Sequence, residues 1–168
     1  GRKTGVCKGK GGSMHIADLD LGMMGANGIV GGGPPLACGA AMALQRTGGN
    51  HVAVAFVGDG GSNQGTTFES MNLAMMWNLP AIIVVEDNGY AEATSSSYTV
   101  ASGSNADRAR GFGLPSESVD GHDFFAVYEV AGKAISRARE GGGPSLIECK
   151  VNRYYGHFEG DAQTYRGV

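Results

Sequence analysis

His51-Val52-Ala53-Val54-Ala55-Phe56-Val57-Gly58-Asp59-Gly60-Gly61 is the stretch that decides the fold. A short unbroken apolar run, stopped by a glycine-rich turn, reads as a strand buried in a parallel sheet. Two more runs have the same form. Residues 81–86 (AIIVVE) end in Asp87-Asn88-Gly89-Tyr90, and residues 145–151 (SLIECKV) lead into Asn152-Arg153-Tyr154-Tyr155-Gly156-His157. Helical patterns lie between them. Residues 34–46 form a small-residue helix suited to close packing on a sheet. Residues 64–77 put Phe68, Met71, Met75 and Met76 on one side, a core or interface stripe. Residues 123–140 are the clearest amphipathic helix, stopped by Gly141-Gly142-Gly143-Pro144. A short helix over 106–112 and a short strand over 117–119 complete the pattern. Residues 1–33 are glycine-rich and irregular, and 94–105 read as a serine-rich loop. Strands alternating with helices imply an α/β fold, a mostly parallel sheet with helices on both faces, as one domain over 1–168.

Composition narrows the function. The chain has 168 residues with 42% hydrophobic and 17% charged, enough apolar material for a core. Its net charge of −3 argues against a nucleic-acid binder. No apolar run is long enough to make a membrane helix, and no signal peptide is legible at Gly1-Arg2-Lys3-Thr4-Gly5. The cysteines Cys7, Cys38 and Cys149 are widely spaced and read as reduced thiols in a cytosol-like compartment. Thirty glycines gather at the ends of apolar runs, where a backbone turns tightly or lets a ligand approach. Gly1 and the closing Tyr165-Arg166-Gly167-Val168 read as the ends of a piece of a longer polypeptide.

In open parallel sheets ligands bind at the carboxyl ends of the strands. Gly58-Asp59-Gly60-Gly61, Asn88-Gly89-Tyr90 and His157 all fall there. The glycines offer backbone N–H groups to an anion, while Asp59 would repel one. A divalent cation between them removes the conflict. Mg²⁺ takes carboxylate, amide, carbonyl and phosphate oxygens together, so Asp59, Asn88 and the Tyr90 carbonyl read as a cradle for a metal diphosphate. A dinucleotide fingerprint fails because Asn63 stands where its third glycine belongs, and no NTPase phosphate loop is present.

These residues carry a resemblance. Gly58-Asp59-Gly60 followed one strand later by Asp87-Asn88 resembles the thiamine diphosphate motif. GRKTGVCKGKGGSMH, GANGIVGGGPPL, GDGGSNQG, FESMNLAMMWNLP and RYYGHFEGDAQTYR resemble the alpha subunit of two-component, thiamine diphosphate-dependent 2-oxo acid dehydrogenases. The likeness runs over essentially the whole chain. DNGYAEATSS and the RYYGHFEGDAQTYR loop look most like the acetoin dehydrogenase branch.

The resemblance implies a thiamine diphosphate-binding fold with thiamine diphosphate and Mg²⁺ as cofactors. Asp59, Asn88 and Tyr90 would hold the metal, and Gly60 and Gly61 would lie against the diphosphate. Gly28 and Val30 would contact the aminopyrimidine region. His157 and His15 would be active-site histidines, His157 near both the diphosphate and the reacting carbon. A histidine there suits proton transfer. His51 and His122 read as surface residues.

The implied reaction cleaves the ketone acetoin, releases acetaldehyde and passes the acetyl unit to a lipoyl-bearing acyltransferase. It implies a bacterial, cytoplasmic enzyme working only with a beta subunit, as an alpha2beta2 heterotetramer. That subunit would bring the carboxylate that activates the aminopyrimidine. Two alternatives stay open: oxidative decarboxylation of pyruvate on the same cofactor, and a non-catalytic truncated remnant. Three departures bear on them. Asp87-Asn88 stands where Asn-Asn is usual. Phe158 stands where mitochondrial pyruvate dehydrogenases carry a phosphorylated serine. The family also has a Tyr-Arg pair that binds diphosphate, in a segment before the position matching residue 1.

Overall fold

The computed structural model describes residues 1–167. The strands are β1 (Ala53–Gly58), β2 (Ala81–Asp87), β3 (Tyr90–Ala91), β4 (Thr94–Ser95), β5 (Ser116–Asp120) and β6 (Ser145–Lys150). The helices are α1 (Gly33–Thr47), α2 (Gly65–Met76), α3 (Ser96–Thr99), α4 (Asn105–Arg110) and α5 (Phe124–Arg139). Four strands form a parallel sheet in the order β1-β2-β6-β5, and β3 and β4 make a separate antiparallel pair. The register sets Gly58 against Glu86 and Glu86 against Cys149. Asp87, Lys150 and Asp120 form the next row. The strands therefore end together and deliver their polar turns to one edge.

Alternation along β2 and β6 assigns the two faces. Ile83, Val85 and Leu146 pack with Met71 of α2 and Ala109 of α4. Ala53, Ala55 and Ala81 meet Ala37, Cys38 and Ala41 of α1, where small side chains bring helix and sheet close. Ile82, Ile147 and Cys149 face α5 through Ala134, Val127 and Val130. The Asp123 carboxylate caps α5 by accepting from Phe125 and Ala126 N–H at 3.0 Å each, satisfying donors a helix start leaves unpaired.

Three expectations shift. β1 is an edge strand buried on one face only, with Val54 42% and Phe56 65% exposed. Residues 94–105 are not a plain loop: Thr94–Ser95 pairs with Tyr90–Ala91, and Ser95 caps the α3 turn. Of the expected α2 stripe, Met71 is buried, Phe68 and Met75 are half-buried, and Met76 is exposed.

Candidate functional site

β1 ends at Gly58, and the chain turns at once through Asp59 and Gly60 into a 3-10 turn over Gly61–Asn63. Asp59 is 2% exposed, yet its Oδ2 has no hydrogen-bond partner. Burial pushes its carboxyl pKa up and the nearby Asp87 adds to this; backbone N–H groups of Asp59 and Gly60 pull the other way. Its main-chain carbonyl is held firmly, accepting from Ser62 Oγ at 2.6 Å and Asn63 Nδ2 at 2.9 Å. The turn thus fixes the backbone and leaves one carboxylate oxygen free.

β2 ends in the second cluster. Asp87 Oδ1 accepts from Gly89 N–H at 2.9 Å, and Asn88 Oδ1 accepts from Tyr90 N–H at 3.2 Å. Gly89, inside the Asn88 turn, adopts the left-handed φ of +85° that glycine takes without strain. Asp87 Oδ2 accepts from Lys150 Nζ at 2.6 Å, which also donates to Glu148 at 3.0 Å. The turns of β1 and β2 touch: a Cβ on Gly60 would fall 2.6 Å from Ala91 Cβ. Glycine at 60 is therefore what lets the second turn lie on the first.

The third cluster closes over these two. Arg153 donates to the Tyr90 carbonyl at 3.3 Å and the Glu92 carbonyl at 3.0 Å. It also donates to Tyr165 OH. Tyr165 in turn donates to Asp161, whose Oδ2 accepts from His157 N–H at 2.8 Å. The Tyr165 hydroxyl, with the N–H groups of His157 and Gln163, holds the Asp161 carboxyl down at about 2. Arg166 ties the loop again through the carbonyls of Arg153 and Tyr155. His157 Nδ1 lies 3.5 Å from the Arg153 guanidinium.

The amino-terminal segment meets the turn after β1 through Val30. His15 Cε1 lies 3.4 Å from where a Cβ on Gly28 would be, and Val30 Cγ1 lies 3.5 Å from the same point on Gly61. His15, Gly28 and Val30 are all exposed, whereas Gly61 is buried beneath Val57 and Val30. His51 and His122 lie on the surface, as the sequence suggests. Arg108, Asn105, Glu148, Lys150, Arg153, Asp161 and Tyr165 were not singled out from sequence. The last three had a signal, because Arg153, Asp161 and Tyr165 all lie in the quoted loop motif, while Arg108 sits in an unremarked short helix.

The chain matches the Dehydrogenase E1 component family over residues 1–168. It belongs to that family. The alpha subunit of acetoin:2,6-dichlorophenolindophenol oxidoreductase from Cupriavidus necator is 66% identical over all of this chain and 50% of its own length. The Bacillus subtilis protein of the same name is 61% identical over 99% of this chain and 50% of its own. The pyruvate dehydrogenase E1 component subunit alpha of Rhizobium meliloti is 42% identical over 99% of this chain and 48% of its own. The chain thus spans about half the length of these relatives. A Mycobacterium smegmatis structure, described in terms of thiamin diphosphate dependence, superposes with TM-score 0.62 at 24% identity. That match covers 79% of this chain and 24% of the other, and it supports the α/β fold. Within this E1 chain, no cluster of three or more His, Cys, Asp or Glu residues among the described residues could hold a metal alone. What the chain offers is one buried carboxylate oxygen without a partner, one amide oxygen and one backbone carbonyl. This hard-oxygen set suits Mg²⁺ completed by phosphate oxygens. A cleft of about 340 Å³ lined by Asp87, Ser96, Ser97, Val100, Ala101 and Gly103 includes none of the residues expected to touch a cofactor.

Proposed function

We propose that this chain is the thiamine diphosphate-binding domain of an acetoin-cleaving E1 alpha subunit. The reading rests on Asp59: a buried carboxylate oxygen without a partner, at a strand end, beside the Asn88–Tyr90 turn. Identities of 66% and 61% to acetoin oxidoreductase alpha subunits, against 42% and 41% to pyruvate dehydrogenase alpha subunits, support acetoin as donor.

Asp59, the Asn88 amide oxygen and the Tyr90 carbonyl would hold Mg²⁺, with Gly60 and Gly61 against the diphosphate. Gly28 and Val30 would contact the aminopyrimidine. When bound, thiamine diphosphate supplies the nucleophile and the electron sink for carbon–carbon cleavage. His157 then manages a proton at Nε2. Its Nδ1 faces Arg153, and a guanidinium only donates, so Nδ1 is the accepting nitrogen. His15, next to Gly28, would be a second active-site histidine. The loop network around Asp161 and Tyr165 holds the backbone of the exposed His157. A beta subunit would complete the site in an alpha2beta2 assembly, without which this chain is inactive. A lipoyl-bearing acyltransferase would accept the acetyl unit. Three free thiols suit a bacterial cytoplasm.

The test uses the full-length alpha chain with its beta subunit, thiamine diphosphate and Mg²⁺. Dye reduction is followed with acetoin and with pyruvate, and Asp59→Asn serves as control. Faster turnover of acetoin, abolished by Asp59→Asn, is the expected result. Preference for pyruvate would keep the cofactor and move the chain to the pyruvate branch. No turnover of either would point to an inert remnant.

A further inference from the structure

Arg108 projects from the short helix α4, in the half-buried layer between that helix and the Asp59 turn. Its guanidinium donates to four oxygens, none of them a carboxylate. Nη1 reaches the Ser62 carbonyl at 3.1 Å and Asn105 Oδ1 at 3.5 Å. Nη2 reaches Asn63 Oδ1 at 2.9 Å and the Thr99 carbonyl at 3.1 Å. The Phe68 ring of α2 lies 5.3 Å beneath it. A half-buried cation that makes no direct ion pair is being used for the shape of its planar fork.

Two of those bonds end on the turn that carries Asp59. Asn63, held by Arg108 through Oδ1, turns its Nδ2 onto the Asp59 carbonyl at 2.9 Å. Asn63 Nδ2 also reaches Thr99 Oγ1 at 3.4 Å. Behind Arg108 the network continues. Asn105 donates from its backbone N–H at 2.8 Å and from Nδ2 at 3.1 Å to Glu148 Oε1. Glu148 accepts from Lys150, which grips Asp87 at the root of the second turn. One polar chain therefore runs from the backbone of Asp59 to the turn bearing Asn88 and Tyr90. Arg108 is the member that spans the gap between α4 and the Asp59 turn.

We propose that Arg108 is a positioning residue for the cation cradle, holding the 59–63 turn through Asn63 and Ser62 so that Asp59 meets the Asn88–Tyr90 turn at a fixed separation. The inference rests on the cofactor reading above and adds to it a residue that would touch neither metal nor cofactor.

Lysine keeps the charge but cannot make the four-way fork, so Arg108→Lys is the informative change. It is made in the full-length protein with its beta subunit, alongside Asn63→Ala and the double variant. Mn²⁺ binding in the presence of thiamine diphosphate is measured by electron paramagnetic resonance. Amide exchange at Gly60–Asn63 is measured without metal. Arg108→Lys is expected to fold, to exchange faster at Gly60–Asn63, and to bind Mn²⁺ about ten- to a hundredfold more weakly, the range for residues that orient ligands. Adding Asn63→Ala should cost little more, because both act through one path. Should Arg108→Lys fail to fold, Asn63→Ala alone carries the same expectation. Mn²⁺ affinity unchanged in the variants, with the wild type binding, overturns the positioning role and leaves the cofactor reading intact. A wild-type protein that does not bind Mn²⁺ overturns both.

Discussion

Asp59 is buried and incompletely bonded, and its carboxyl is pushed up by burial and by Asp87. An ionised group in that setting costs the metal-free fold stability. Asp59→Asn should therefore raise the melting temperature of the metal-free protein by roughly 2–4 °C, the shift that about 1 kcal/mol gives in a domain of this size, while removing the response to divalent cations. Scanning calorimetry with and without Mg²⁺ checks both halves. A lower melting temperature would mean that Asp59 is better satisfied than its geometry indicates. Asp161 is the opposite case. Its carboxyl is held down at about 2 by Tyr165 OH and two backbone N–H groups, below the ordinary value of about 3.9. A depressed acid stabilises the loop fully above its ordinary range, and the contribution is lost as pH falls through about 2. Carbon-13 detection of the Asp161 carboxyl should show that low midpoint, and an ordinary one would dissolve the loop network. Asp161→Ala should leave the fold intact while exposing residues near His157 to proteolytic nicking, seen by mass spectrometry of the digest.

At the scale of elements, the turns after β1 and β2 fit because Gly60 has no side chain. Its φ of −65° suits any residue, so Gly60→Ala brings only the clash with Ala91 and no backbone strain. The single variant should lose thermal stability and cofactor affinity together, and Gly60→Ala with Ala91→Gly should recover much of both. Failure of that rescue would mean the turns are not in contact. The strands over 51–57, 81–86 and 145–151 were legible because β-branched and apolar runs stop at turn residues, and two of the three are covered on both sides. β1 misled because its composition matches a central strand, while position in a sheet depends on partners that one run of residues does not encode. The pairing of Tyr90–Ala91 with Thr94–Ser95 was missed for a related reason: two-residue strands carry no periodicity. Asp59, Asn88 and His157 stood out because each follows an apolar run. Arg108 did not, since one of two arginines in a six-residue helix looks like any solvated cation until its four acceptors are seen.

For the whole molecule, the exposed face of β1 sets the behaviour of these 168 residues in isolation. Val54 and Phe56 lie on an unpaired edge strand that carries no lysine or proline, the arrangement that invites strand pairing between molecules. Sedimentation of the 168-residue chain should show species larger than 17.2 kDa, and Phe56→Lys should shift the distribution toward monomer. A monodisperse wild-type chain would show that the edge is harmless. The strand order holds a different consequence. β6 sits between β2 and β5, and it is the last strand among the described residues. Among the described residues β5 pairs with β6 alone, so it leaves the ribosome before that partner exists. β1 and β2 can pair early, whereas β5, and the part of the α5 face that packs on Ile147 and Cys149, must wait for Ser145–Lys150 to emerge. Such delayed pairing slows folding and leaves apolar surface uncovered during synthesis. A nascent chain stalled just short of β6 should thus be the form that a ribosome-associated holdase retains, and extending it by this one strand should release it.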